Sequence, residues 1–192
     1  MFEWVILCFV CLVFVSIVID TLRLGISPMP SSLAVTSVVV KQLPVEVGQC
    51  CLEAGCGWGT LLFAMAKQHP DVRFVGVEAS IFPYLFCVLR KMFTRTENVE
   101  LCWQDVFTYP FGRVDVLVCY LFPAGMDTLK EKCEDELKQG AYVVSHTFRV
   151  PTWEPVDVVR LHDLYNTPVY TYQWGVLSGS GDTSSLVGEK NS

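Results

Sequence analysis

The segment Glu53-Ala54-Gly55-Cys56-Gly57-Trp58-Gly59 sets an acid just ahead of three glycines that alternate with other residues. Glycines at such a turn let the backbone bend tightly and approach a bound molecule closely. Turns that bind dinucleotides usually read G-x-G-x-x-G and offer helix N–H groups to a pyrophosphate. The pattern here is E-x-G-x-G-x-G. A carboxylate at that position suits a cation, such as a sulfonium ligand with an ammonium group, and repels a pyrophosphate. Taken alone, the glycines also fit a tight strand-to-helix turn.

Two further acids stand at corresponding places. Glu78 ends the apolar run Val72–Glu78, followed by Ala79; there a carboxylate can accept both hydroxyls of an adenosine ribose. Asp105 follows Val99–Trp103 and Gln104, in reach of an adenine amino group. The cofactor-binding set read from the chain is Glu53, Gly55, Gly57, Gly59, Glu78, Ala79, Gln104 and Asp105. Cys119, Tyr120 and Phe122 close the fourth apolar run and face the reacting end of such a ligand, with Tyr120 the candidate to orient an amine. His146 and Trp153 are read as core residues that could also line a substrate pocket, and Asp115 as a group that caps or pairs.

These positions require a particular scaffold. Strands are expected at 49–53, 72–78, 99–103, 114–121 and 140–145, with helices at 60–68, 81–93 and 125–138 between them. Such alternation implies a parallel sheet covered on both faces, whose ligands bind beyond the carboxyl ends of the strands. Residues 156–161 and 169–174 read as a closing antiparallel pair. Ser31 or Ser32 caps a helix that runs toward Leu43 and stops at Pro44.

Together these residues resemble the class I, seven-stranded methyltransferases that use S-adenosylmethionine (SAM), over about Ser31 to Trp174. That resemblance implies an α/β, Rossmann-like, mostly parallel sheet, with methyl transfer by in-line displacement. A narrower resemblance, to the membrane-anchored protein-lysine methyltransferases of mitochondria and their prokaryotic relatives, rests on the apolar N-terminus, Pro30-Ser31-Ser32, the glycine motif, Tyr120-Leu121-Phe122-Pro123, Val144-Ser145 and Pro151-Thr152-Trp153-Glu154-Pro155. It implies a protein-lysine acceptor, with Ser31, Ser32, Tyr120 and Phe122 on the substrate side. Those relatives tend to read D-x-G-x-G-D-G, so Trp58 here stands in place of an acid. A small-molecule or lipid acceptor beside Phe82, Tyr84 and Phe122, or a non-catalytic binding module, are the alternative readings.

The remaining composition bounds the context. The 192 residues carry a net charge of −6, which disfavours a nucleic-acid partner. His69, His146 and His162 are scattered, so no metal is expected. The odd number of cysteines, nine, many of them in apolar runs, reads as buried thiols rather than a disulfide framework. Trp4 to Ile19 carries no charge. Residues 1–24 are therefore expected to form an uncleaved transmembrane anchor, 25–177 the catalytic domain and 178–192 a disordered tail. Arg23 and Lys41 follow the anchor, which puts the domain in the cytosol as a single-pass membrane protein.

Overall fold

The computed structural model describes residues 2–24 and 32–175. Ser31, the expected linker and the expected tail at 178–192 lie outside the described residues. The chain forms α1 (Phe2–Leu24), α2 (Leu33–Gln42), β1 (Cys50–Ala54), α3 (Thr60–Gln68), β2 (Arg73–Glu78), α4 (Ile81–Thr94), β3 (Val99–Trp103), β4 (Val116–Cys119), α5 (Pro123–Glu136), β5 (Tyr142–His146), β6 (Asp157–Arg160) and β7 (Pro168–Gln173).

The seven strands make one sheet in the order β3-β2-β1-β4-β5-β7-β6. β1 to β5 pair in parallel, and β7 runs antiparallel between β5 and β6. This is the seven-stranded, Rossmann-like α/β fold, with its closing antiparallel pair where expected. The strand order reverses between β1 and β4, so a crevice opens beyond their carboxyl ends. Because side chains alternate across a strand, Cys51, Phe74, Val116, Val118 and Val144 face α2, α3 and α4. Leu52, Val75, Leu117 and Val143 face the layer of α5 and Tyr172. Central strands covered on both faces are continuously apolar, which is why VLVC of β4 is wholly buried.

Element ends have local causes. The Ser32 hydroxyl accepts from the Val35 N–H at 3.2 Å and caps α2, as expected. β4 is shorter than its apolar run, because the Val114 N–H turns back to the Phe111 carbonyl and the chain leaves the ladder after Cys119. α5 begins earlier than expected, at Pro123, whose missing N–H costs nothing in the first turn. A short 3-10 turn at Val106–Thr108, not foreseen, starts from Asp105.

The N-terminal segment is helical, but the transmembrane reading is corrected. Among the described residues no helix is long and apolar enough to cross a membrane. The uncharged stretch Trp4–Ile19 reaches only about 24 Å against roughly 30 Å of hydrocarbon. Part of α1 also lies against α4.

Tyr172 ties the closing strand to the loop after β5: its hydroxyl accepts the buried Val150 N–H at 3.1 Å. Tyr172→Phe strands that N–H, so urea denaturation is expected to show a loss of about 1–3 kcal/mol.

Candidate active site

The glycine segment joins β1 to α3 as a turn that only glycine adopts without strain. Gly55, Gly57 and Gly59 have φ of 71°, 52° and 70°. At Gly59 space is limiting as well, since a Cβ would stand 2.8 Å from the Cys87 Sγ and 2.9 Å from the Phe63 ring. The turn is fastened to β2: the Gly55 and Cys56 N–H groups both donate to the Val77 carbonyl, at 2.9 and 3.0 Å. Glu78 adds a second fastening. One carboxylate oxygen accepts the Gly57 N–H at 2.7 Å and the other the Ser80 N–H at 2.8 Å. Each oxygen keeps a further lone pair for a ligand hydroxyl.

Glu53 sits at the end of the central strand beside the N-terminus of α3. It is buried, and its Oε2 has no hydrogen-bond partner. Burial, and then the neighbouring Cys87 and Glu78, hold its carboxyl well above the usual range, while a backbone hydrogen bond from Leu62 opposes the shift. A buried carboxylate is stable only beside a cation or donors that replace water. The cavity next to it is bounded by Gly55, Gly57, Glu78, Ala79 and Asp105. An ammonium group at Oε2, a ribose at Glu78 and a base beyond Ala79 fit this arrangement, so the residues present suit SAM.

The other expected cofactor residues divide. Ala79 lines the cavity, and its carbonyl accepts the Trp103 indole N–H at 2.9 Å. Asp105 lines it too, while one oxygen caps the 3-10 turn through the Phe107 N–H at 2.9 Å. Gln104 is not part of the cavity wall; its backbone N–H donates to the Glu78 carbonyl. Gly59 likewise stands behind the wall and shapes the turn.

Tyr120 and Phe122 continue the same cavity past the end of β4. Ser32, expected on the substrate side, is outside the wall and serves as the cap of α2. Trp153 lies elsewhere, its ring stacked on Trp174 at 4.8 Å. Asp115 pairs with Lys138 and accepts the Cys50 N–H. Sequence reasoning placed His146 in the core, yet it is both buried and part of the cavity wall, stacked on Tyr120 with ring centroids 4.3 Å apart. The available signal was its place at the end of the fifth strand, beside the end of the fourth. Among the described residues no cluster of three or more His, Cys, Asp or Glu is arranged to hold a metal ion.

Comparison with known proteins gives a consistent picture. Residues 53–157 match the family described as the ANTKMT methyltransferase domain. The chain is 30% identical over 127 residues to a protein-lysine N-methyltransferase of Saccharolobus islandicus, covering 64% of this chain and 78% of that protein. It is 26% identical over 152 residues to an ATP synthase lysine N-methyltransferase of Xenopus laevis, covering 74% and 65% respectively. Among solved structures, an RNA methyltransferase from Salinibacter ruber bound to S-adenosyl-L-homocysteine superposes with a TM-score of 0.68 at 25% identity, over 76% of this chain and 93% of that one.

The state of Glu53 sets a test with a definite sign. Its raised pKa means that the folded chain keeps the proton above the ordinary value of 4.5, so without a cation the folded state loses stability as pH rises through that interval. A ligand ammonium favours the carboxylate, so binding expels the proton. Calorimetric affinity for SAM is expected to increase as pH rises above 4.5. Glu53→Gln is expected to weaken binding about 10- to 100-fold and to flatten that pH dependence.

Proposed function

The chain belongs to the ANTKMT methyltransferase domain family and is a SAM-dependent methyltransferase, and from that premise we propose that its acceptor is the side-chain amine of protein lysines. The observation that carries this reading is the continuity of the cavity from the acids Glu53, Glu78 and Asp105 to an aromatic end at Tyr120 and Phe122. The first end suits a charged nucleoside ligand. The second suits a long aliphatic side chain that ends in an amine. The two lysine N-methyltransferases among its relatives agree with it. The acidic balance of 20 Asp and Glu against 14 Lys and Arg is ill suited to an RNA acceptor.

In this reading Glu53 holds the cofactor's ammonium, Glu78 its ribose and Asp105 its base, while the backbone of Gly55 and Gly57 lets it approach the sheet. SAM supplies a methyl already activated by the sulfonium charge. The protein's contribution is alignment and dryness. Tyr120 and Phe122 flank the acceptor and exclude water, which favours the neutral amine over the ammonium. The amine lone pair then displaces the sulfur in line, and the new ammonium gives up a proton to solvent. Holding both partners at contact distance is worth up to about 7–11 kcal/mol of barrier.

The test is transfer of radioactive methyl from SAM to protein. Incorporation that mass spectrometry assigns to lysine Nζ, reduced at least tenfold in a Glu78→Ala variant, is the expected result. Label found only in lipid or small molecules would sink the lysine reading and leave the methyltransferase intact.

We also propose that α1 holds the enzyme at a membrane surface. Supporting this, it exposes Phe2, Trp4, Val5, Leu7, Leu12, Phe14 and Val15, all more than half exposed. An apolar helix displayed in this way is the chemistry of interfacial anchoring. Deleting residues 1–24 is expected to shift the protein from sedimenting with liposomes to the supernatant, with SAM binding retained. An unchanged distribution would refute the tether. Arg23 and Lys41 favour a cytosolic domain in this proposal.

A further inference from the structure

His146 has features that a core residue does not need. It is 5% exposed and its Nε2 has no hydrogen-bond partner. An unmet polar nitrogen inside a protein costs stability, which a phenylalanine would avoid. It also forms part of the cavity wall, beside Cys119, Tyr120 and Phe122.

Its position is fixed from several sides. The pairing of Cys119 with Ser145 brings the next residues, Tyr120 and His146, together at the carboxyl ends of β4 and β5. Their rings stack with only 8° between planes, and Tyr120 stacks in turn on Phe148 at 5.8 Å. The chain beyond is bent back sharply. Thr147 has φ of 72°, a costly conformation for a β-branched residue. It is held there by its N–H on the Pro168 carbonyl at 2.8 Å, and by the Ser145 hydroxyl donating to the Phe148 carbonyl at 2.6 Å. The strained turn puts the Thr147 hydroxyl 3.3 Å from His146 Nδ1. Burial drives the imidazole pKa down to about 4, so the ring is neutral and has one N–H and one bare nitrogen.

We propose that Thr147 accepts the His146 Nδ1–H, and that the bare Nε2 accepts an N–H of the acceptor amine, turning the amine's lone pair toward the methyl group. This rests on the lysine reading above. His146 is then a substrate-orienting residue rather than a proton acceptor. Tyr120 supplies the platform that fixes its ring, and Thr147 selects its tautomer. The bond network selects amines with at least one N–H and gives nothing to a hydroxyl-free, hydrogen-free acceptor.

The experiment uses the full chain with poly-L-lysine as acceptor and radioactive SAM. His146→Phe keeps the ring stack and removes Nε2; His146→Gln supplies an amide oxygen as a replacement acceptor. Expected is SAM affinity within about threefold of the parent in both variants, with His146→Phe at least as resistant to thermal unfolding as the parent. The kcat of His146→Phe should fall about 100-fold, as for a misaligned nucleophile, and His146→Gln should recover at least about tenfold of that loss. A His146→Phe kcat within about threefold of the parent overturns the proposal. So does a loss that His146→Gln does not recover, since shape rather than the acceptor nitrogen would then matter. A parent that binds SAM but methylates no lysine overturns the lysine reading, and the role of Nε2 falls with it.

Discussion

A carboxylate sealed inside a fold with one oxygen unmet is hard to keep, and Glu53 is such a group. It stands at the end of the central strand, where neighbours on both sides exclude water. Only the first turn of α3 is near enough to help, through the Leu62 backbone. Much of the surrounding architecture serves that placement. The three left-handed glycines bring α3 back over the strand, and the Val77 carbonyl and Glu78 carboxylate pin the turn to β2. A cationic ligand turns the unfavourable burial into binding energy. The site is therefore tuned to a ligand that carries its own positive charge.

The second organising feature is strand register. β1 and β4 are neighbours although two strands and two helices separate them in sequence. Their adjacency makes one cavity from the acids after β1 and β2 and the aromatic residues after β4. The register of β4 with β5 then adds His146 beside Tyr120. Cofactor and acceptor ends thus come from consecutive carboxyl ends of one rigid sheet. That rigidity is what methyl transfer needs from a protein, because an in-line displacement tolerates little misalignment.

Local information ends at identifiable residues. Strands β1, β2, β3 and β5, and helices α3 and α4, were legible to within a residue or two, because apolar runs of strand length alternate with helical periodicity. The Ser32 cap was legible because capping is a contact over three residues. Boundaries failed where a distant partner intervened. β4 lost its ends to bonds with Phe111 and Cys50, and Asp105 nucleated a 3-10 turn that no periodicity announces. Gln104 and Ser32 were assigned to the site by proximity to good motifs, yet neither lines the cavity.

The sequence by itself determined the fold class, the cationic character of the ligand and the acids that meet it. Those signals lie in residue types spaced within a single strand–turn–helix unit, where backbone geometry follows directly from the order of residues. Only the tertiary structure decided that Glu53 is buried with an unmet oxygen. Only it decided that Glu78 holds the glycine turn, and that His146 leaves the core to share a wall with Tyr120. Burial and cross-strand neighbours depend on which segments pack together, and a pairing such as Cys119 with Ser145 is set by the whole sheet rather than by either strand.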